Sequence, residues 1–275
     1  MATTDIDIEF RLFIDALYLK YHYDFRGYAL ASLKRRVRTA MARLGCSSVS
    51  QLQDRVLHDP SAFPAVLDVL TVPVSEMFRD PTYFRSLRER VVPLLRTYPS
   101  LKVWVAGCST GEEAYSLAIL LREEGLLDRT LIYATDINPR TLQQAEDGVY
   151  DVGRFASFSD NHRRTGARTS LSDYYTAAYD RAVLDKSLKQ NMVFSDHSLA
   201  TDSVFAEVHL VSCRNVLIYF NRELQDRAIG LFHDALCRNG FLGLGSKESL
   251  AWSSHAAGFA DVVRDDRIFQ RRDRG

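Results

Sequence analysis

Cysteine is scarce and scattered. The chain holds Cys46, Cys108, Cys213 and Cys237, with no C-x-x-C pair. Neither a zinc site nor a disulfide framework is expected, and the reduced cytosol suits this usage. Net charge is absent too, since 35 Lys and Arg face 35 Asp and Glu in 275 residues. With no global field, non-specific nucleic-acid binding is not expected, and any electrostatic role must come from a local patch. No uninterrupted apolar run is long enough to insert in a membrane. The opening "MATTDIDIEF" is acidic and lacks the apolar core of a signal peptide. What is present is ordinary for a cytoplasmic globular protein: 46% hydrophobic and 25% charged residues. The length allows one large domain or two smaller ones, with a monomer as the default.

Residues 1–70 read as an all-helical N-terminal domain. Phe10, Phe13, Ile14, Leu17, Tyr18 and Tyr21 recur at helical spacing, as do Leu30, Leu33, Val37, Met41 and Leu44. Gly45 is placed to stop the second helix, and "SSVSQLQDRVLHD" offers serine caps for a third. Residues 71–100 read as a linker and linking helix. From residue 101 the texture changes. "LKVWVAG", "TLIYATD", "NMVF", "EVHLVSC" and "GFLGLG" are short apolar runs separated by helical or loop stretches. That alternation predicts an α/β, mostly parallel, doubly wound sheet over 101–275. Buried on both faces, its strands appear as runs and not as alternation. Ligands of such sheets sit beyond the carboxyl ends of the strands. Residues 151–190 fit the winding poorly. "GRFASFSDNHRRTGARTS" is polar and reads as a mobile loop, and "DYYTAAYDRAVLDKSLKQ" as a small antiparallel insertion.

The stretch Gly107-Cys108-Ser109-Thr110-Gly111 fits G-x-S-x-G, the turn that presents a catalytic serine in α/β-hydrolases. That elbow lies deep inside its sheet, whereas this strand would be the first of the sheet. His255 and Asp136 could be imagined as triad partners, but nothing in the sequence places them together. A first strand followed by a glycine-rich loop and a helix suits a nucleotide-like cofactor instead. Glu112 and Glu113 open the helix after the loop, where a pyrophosphate would meet two carboxylates. The sign of charge favours a cofactor with cationic groups and no phosphate, and S-adenosylmethionine is one. Asp136, at the end of the next strand, suits an acid that accepts from ribose hydroxyls. The bland alternative is that the two glutamates only favour a helix N-terminus and Asp136 only caps "INPRTLQQAEDG". Two further stretches look chemical. "LTVPVSEMFRDP" sets Ser75 and Arg79 between the helical region and the sheet, and "LVSCRNVLIYF" ends an apolar strand in Cys213-Arg214-Asn215.

These stretches carry a resemblance. "VWVAGCSTGEEAYSLA", "ATDINPRTLQQAEDGVY", "VSCRNVLIYF" and "LGSKESL" resemble the chemoreceptor glutamate O-methyltransferases of the CheR type. "YHYDFRGYALASLKRRV" and "SEMFRD" are similar to that family's N-terminal domain and linker. The resemblance covers almost the whole chain, in order. It implies a helical N-terminal domain and a Rossmann-like S-adenosylmethionine-dependent methyltransferase domain, with an antiparallel β-subdomain inserted at about 171–194. It implies cofactor contacts from Ser75, Arg79, Gly107, Ser109, Glu112, Glu113, Asp136, Ser198, Leu199, Arg214 and Asn215. Tyr219, with Arg79, would serve the transfer step. The partner implied is the cytoplasmic domain of a methyl-accepting chemoreceptor, and the product S-adenosylhomocysteine. The chain also departs from the family. Its linker usually reads T-x-N-x-T-x-F-F-R, but Pro73 takes the asparagine's place, Ser75 the threonine's and Met77 the first phenylalanine's. Ser198 stands where asparagine is common, and His209 where aspartate is usual. Pro73 can donate no hydrogen bond, so a lost cofactor contact is expected there.

A glutamate carboxyl, with a reference pKa of about 4.3, is ionised at neutral pH and needs no general base. The task is positioning, with no metal and no covalent enzyme intermediate expected. In "SLKRRVRTAMARLG" the residues Lys34, Arg35, Arg36, Arg38 and Arg43 fall on one helix. They read either as a solvated face or, with the resemblance, as a patch that docks an acidic receptor helix. Competing readings are a small-molecule carboxyl methyltransferase and a regulatory protein that binds S-adenosylmethionine with little turnover.

Overall fold

The computed structural model describes residues 4–272. Four helices come first: α1 (Asp5–Tyr21), α2 (Leu30–Leu44), α3 (Val49–His58) and α4 (Ala62–Leu70). Their ends follow local chemistry. Thr4 and Asp7 form a reciprocal cap on α1, the Ser48 side chain accepts from Gln51 N–H to start α3, and Gly45 ends α2 in the left-handed region at φ 65°. Phe13, Leu17, Leu33, Val37, Leu52, Val66 and Leu70 meet in this unit's core. Leu30 opens α2 but stays exposed.

Residues 71–80 then lead into α5 (Pro81–Ser86), a π-helical turn at Leu87–Val91 and α6 (Val92–Leu95). The central sheet is built from β1 (Leu101–Ala106), β2 (Thr130–Asp136), β6 (Met192–Asp196), β7 (Val208–Cys213), β8 (Leu236–Leu244), β9 (Phe259–Val263) and β10 (Ile268–Arg271). Its order is β6-β2-β1-β7-β8-β10-β9. β6, β2, β1, β7 and β8 run parallel, whereas β10 pairs antiparallel with both β8 and β9. The helices α7 (Glu112–Glu123), α8 (Pro139–Asp147) and α10 (Arg222–Ala235) supply crossovers. Strand order reverses between β1 and β7, so the crevice beyond their carboxyl ends is where a ligand is expected to lie. Among the described residues no helix is long and apolar enough to cross a membrane.

Two expectations need correction. The polar stretch after Gly153 is not a loop but α9 (Phe155–Arg164). Phe155, Phe158 and His162 form its buried stripe, and this narrow apolar face is hidden by the polar residues between its members. The small antiparallel sheet is real, but it draws β3 (Val149–Asp151) from upstream of residue 171 and pairs it with β5 (Arg181–Leu184), which in turn pairs with β4 (Tyr175–Ala178). The segment at the far end of the expected insertion, β6, belongs to the central sheet beside β2.

The helical unit is seated on the sheet domain by backbone. Asn221 N–H donates to Gly27 O and Ala29 N–H to Tyr219 O, both at 2.8 Å. The Tyr28 and Phe220 rings meet edge to face at 5.0 Å.

Candidate active site

The loops after β1, β2, β6 and β7 open onto one cleft of about 900 Å³, counting its mouth. The linker closes one side, and Tyr28 and Arg36 of the helical unit close another. Of the expected site residues, Ser75, Arg79, Gly107, Ser109, Glu113, Asp136, Leu199, Arg214, Asn215 and Tyr219 line it. Glu112 and Ser198 do not.

The glycine-rich loop is shaped for close approach. Gly107 has φ 73°, and a Cβ there would lie 2.5 Å from Val216 Cγ2. Ser109 and Asn215, neither of them glycine, also take positive φ, at 52° and 61°. Val72 does so at 48°, which is costly for a β-branched residue. Strained backbone therefore gathers around this cleft, as it does at functional sites. Asp136 organises the loop: its Oδ2 accepts from Ser109 N–H at 2.8 Å and its Oδ1 from Asn138 N–H at 3.0 Å. Burial pushes the Asp136 carboxyl up, and these backbone donors pull it back only in part. The triad idea ends here. His255 packs against Gly230 on α10 and beside His233, while both Asp136 oxygens are engaged by backbone. The Ser109 hydroxyl is buried and has no hydrogen-bond partner among the described residues.

The charge argument changes in detail. Glu112 is fully buried and turned from the cleft, where it accepts from Thr110 Oγ1 at 2.6 Å and pairs with Arg154 at 2.8 Å. Arg154 also donates to the carbonyl of Ser75, tying the linker to α7. Glu113 faces the cleft but is shared, its carboxylate accepting from Ser212 Oγ at 2.7 Å and from Arg214 at 3.2 Å. Arg214 is almost wholly buried. It also reaches Asp80 and the carbonyl of Arg79, both at 2.8 Å, and lies 4.1 Å from the centre of the Tyr83 ring. The Arg79 side chain lines the cleft with no hydrogen-bond or ion-pair partner among the described residues. The site thus presents Glu113 and Arg79 together, and suits a zwitterion better than a plain cation.

Ser198 is absent from the cleft, its N–H donating to Asp202 Oδ2 at 2.9 Å. Its neighbours His197 and Leu199 are there instead. Pro73 also faces elsewhere, into a shallow depression with Thr39, Arg43 and Asp68, so its missing donor removes nothing from the cleft wall. His209 accepts from Lys102 N–H at 3.0 Å and stacks edge-on with Tyr98, a packing role remote from the cleft.

The basic helix divides. Arg35 and Arg38 are exposed, and Lys34 pairs with Asp7. Arg36 does not belong to an outward docking face. It is 6% exposed, donates to Leu70 O at 2.6 Å, and sets its guanidinium 4.3 Å from the centre of the Tyr219 ring. The signal was readable, because Arg36 falls on the same helical stripe as Leu33, Val37 and Ala40. Sequence reasoning also missed Glu248. Its buried carboxylate accepts from Gly245 N–H at 2.6 Å, Asn215 N–H at 3.0 Å and Ile218 N–H at 3.3 Å, clamping the turn that carries Asn215 to Tyr219. Burial pushes that carboxyl up against these donors.

Comparison with known proteins agrees with this geometry. A family model described as "CheR methyltransferase, SAM binding domain" matches residues 73–263, and one described as "CheR methyltransferase, all-alpha domain" matches residues 8–71. Cher3 of Pseudomonas putida, whose methyltransferase name is itself provisional, is 60% identical over 265 residues, covering 96% of this chain and 97% of its own. A chemotaxis protein methyltransferase of Listeria monocytogenes is 28% identical across 90% of this chain and 92% of its own. Another, of Vibrio parahaemolyticus, is 31% identical across 68% of each chain.

Proposed function

Because the chain belongs to the CheR methyltransferase family, we propose that it methylates glutamate side chains on the cytoplasmic domain of a chemoreceptor, giving glutamate methyl esters. S-adenosylmethionine-dependent methylation in chemotaxis is the family's activity; the glutamate acceptor is the finer step. The residues present fit the cofactor. A buried Ser109 hydroxyl without a partner among the described residues, a Gly107 where a Cβ would meet Val216, and Glu113 and Arg79 on one cleft wall suit a ligand with an amino-acid end and a nucleoside end. Asp136 would take the ribose, while Ser75, Arg79, Glu113, Arg214 and Asn215 would hold the methionine end. When bound, the cofactor supplies an electrophilic methyl group on a sulfonium.

The observation that carries the acceptor reading is Arg36 stacked on Tyr219 inside the cleft. A guanidinium is always charged and matches a carboxylate's geometry. Held by Leu70 O and the Tyr219 ring, it is preorganised to receive an anionic acceptor beside Tyr219. The acceptor is already ionised, so these residues need only align and desolvate it. The test is methyl transfer from tritiated S-adenosylmethionine to a purified receptor cytoplasmic domain. Base-labile label on the receptor supports the reading. Tight S-adenosylhomocysteine binding with no transfer would favour a cofactor-binding regulator, and label on a free small carboxylic acid alone would favour a small-molecule methyltransferase.

A further inference from the structure

The loop after β8 reaches across to the loop after β7. Gly245 and Arg214 stand at neighbouring strand ends, because Leu244 pairs with Cys213 in the parallel β7–β8 ladder. Gly245-Ser246-Lys247-Glu248 closes on itself. Glu248 N–H donates to Gly245 O at 2.9 Å, and Gly245 N–H donates to Glu248 Oε2 at 2.6 Å. A Cβ on Gly245 would lie 2.8 Å from both Glu248 Oε2 and Asn215 N. Glycine is what lets the Glu248 carboxylate, buried in a residue 4% exposed, come up against the turn after β7.

There the two oxygens divide the work. Oε2 also accepts from Asn215 N–H at 3.0 Å, while Oε1 accepts from Ile218 N–H at 3.3 Å. N–H groups only donate, so both oxygens are needed as acceptors. The turn depends on them at its start, because Asn215 has φ 61°, which a non-glycine residue keeps only where its surroundings impose it. The far end carries Tyr219. Its carbonyl accepts from Ala29 N–H of the helical unit, and its ring centre lies 4.3 Å from the Arg36 guanidinium. Asn215 and Tyr219 both line the cleft, whereas Glu248 does not.

We propose that Glu248 is a positioning residue with two separable arms: Oε2 holds Asn215 for the cofactor, and Oε1 holds the Ile218–Tyr219 end for methyl transfer. The proposal rests on the proposed function of this cleft. Glutamine tells the arms apart. It keeps the shape of glutamate, but one of its terminal atoms accepts and the other donates. Its oxygen belongs on the side with two donors, Gly245 and Asn215. That turns the amide NH2 toward Ile218 N–H and breaks the second arm alone. Alanine breaks both.

The experiment compares full-length wild type, Glu248→Gln and Glu248→Ala by calorimetric titration of S-adenosylhomocysteine, methyl transfer to the receptor cytoplasmic domain, and amide hydrogen exchange. Glu248→Gln should bind S-adenosylhomocysteine within about two-fold of wild type, yet lose at least about ten-fold in kcat. Its Ile218 amide should exchange faster while Asn215 keeps its protection. Glu248→Ala should lose cofactor affinity as well, by about ten-fold. In a Tyr219→Phe background, Glu248→Gln should cost no more than about two-fold further, since that arm acts through Tyr219. A wild-type kcat in Glu248→Gln, affinity lost there together with kcat, or an additive effect in the double variant would each overturn the proposal. Glu248→Gln decides the matter even where the alanine variant does not fold. If wild type bound S-adenosylhomocysteine but labelled no receptor, the proposed function would fall, and hydrogen exchange at Asn215 and Ile218 would still decide whether the two arms exist.

Discussion

Arg214→Met is the sharpest test of how the cleft is held together. The side chain is 1% exposed and joins three separate pieces: Glu113 on α7, the linker at Arg79 and Asp80, and the Tyr83 ring of α5. Methionine fills much of the same volume, so a cavity adds little. The charge-assisted bond to Glu113 contributes about 2 kcal/mol. Asp80 is 40% exposed, and its pair contributes under about 1 kcal/mol. The buried guanidinium–ring contact adds about 1–2 kcal/mol. Glu113 keeps its bond from Ser212, so it is not orphaned. The expected loss is about 4 kcal/mol, which lowers Tm by roughly 10 °C for a chain of this size. Without its anchor at Arg79 O, the linker should also misplace the Arg79 guanidinium, and S-adenosylhomocysteine affinity should fall at least about ten-fold. Scanning calorimetry and ligand titration on the same sample read both effects. Buried ion pairs can be replaced by apolar residues at little cost. A variant with Tm within about 2 °C of wild type and unchanged ligand affinity would therefore show that Arg214 organises nothing. Arg214→Lys separates charge from shape, because lysine cannot span all three pieces.

Three further outcomes are expected. Burial pushes the Glu123 carboxyl up, but hydrogen bonds from His162, Thr169 and Arg88 together outweigh it and hold the carboxyl at about 2, against an ordinary 4.5. A depressed acid stabilises above the unfolded value and loses that contribution as pH falls through the folded one, here about 3 kcal/mol between pH 4.5 and 2. Urea unfolding at pH 5 and pH 3 should show a smaller pH slope for Glu123→Gln than for wild type; equal slopes would refute it. Tyr219→Phe should slow methyl transfer while S-adenosylhomocysteine affinity stays within about two-fold, and lost binding would remove Tyr219 from its proposed role. Charge reversal at Arg35 and Arg38 should raise KM for the receptor domain and reduce its salt dependence, without changing cofactor affinity. An unchanged KM would leave the two as solvated surface.

The strand-and-loop frame was legible because burial on both faces writes itself as short apolar runs, as in β1 and β7. The motif residues at strand ends were legible for the same reason, since topology alone carries Ser109, Asp136 and Arg214 to one edge. Helix α9 was not, because three buried residues in a polar stretch do not announce a face until Phe155, Phe158 and His162 are placed at 3.6 residues per turn. Glu112 misled for a different reason. A carboxylate at a helix N-terminus reads as facing the ligand, and only the position of Arg154, more than forty residues later, shows where its charge is used. Partner choice among distant ionic residues is a tertiary fact, and local pattern does not encode it.

The division of α2 is a different case. Its basic residues look alike as a charge run, yet helical spacing sets Arg36 with Leu33, Val37 and Ala40 and leaves Arg35 and Arg38 outside. That stripe belongs to the helical unit's own core, and the Arg36 guanidinium reaches out from it to Tyr219, whereas Arg35 and Arg38 face solvent. The helical unit contributes Arg36 and Tyr28 to the cleft wall and is fastened to the Tyr219 turn by backbone, so on the proposed function it would serve the transfer step as well as docking. The two roles can be told apart kinetically. Loss of Arg36 should lower kcat, because its partner Tyr219 lies inside the cleft, whereas loss of Arg35 or Arg38 should act on KM alone. If Arg36→Ala changed only KM for the receptor, and in proportion to ionic strength, its buried position would have no catalytic meaning and the patch would act as one surface.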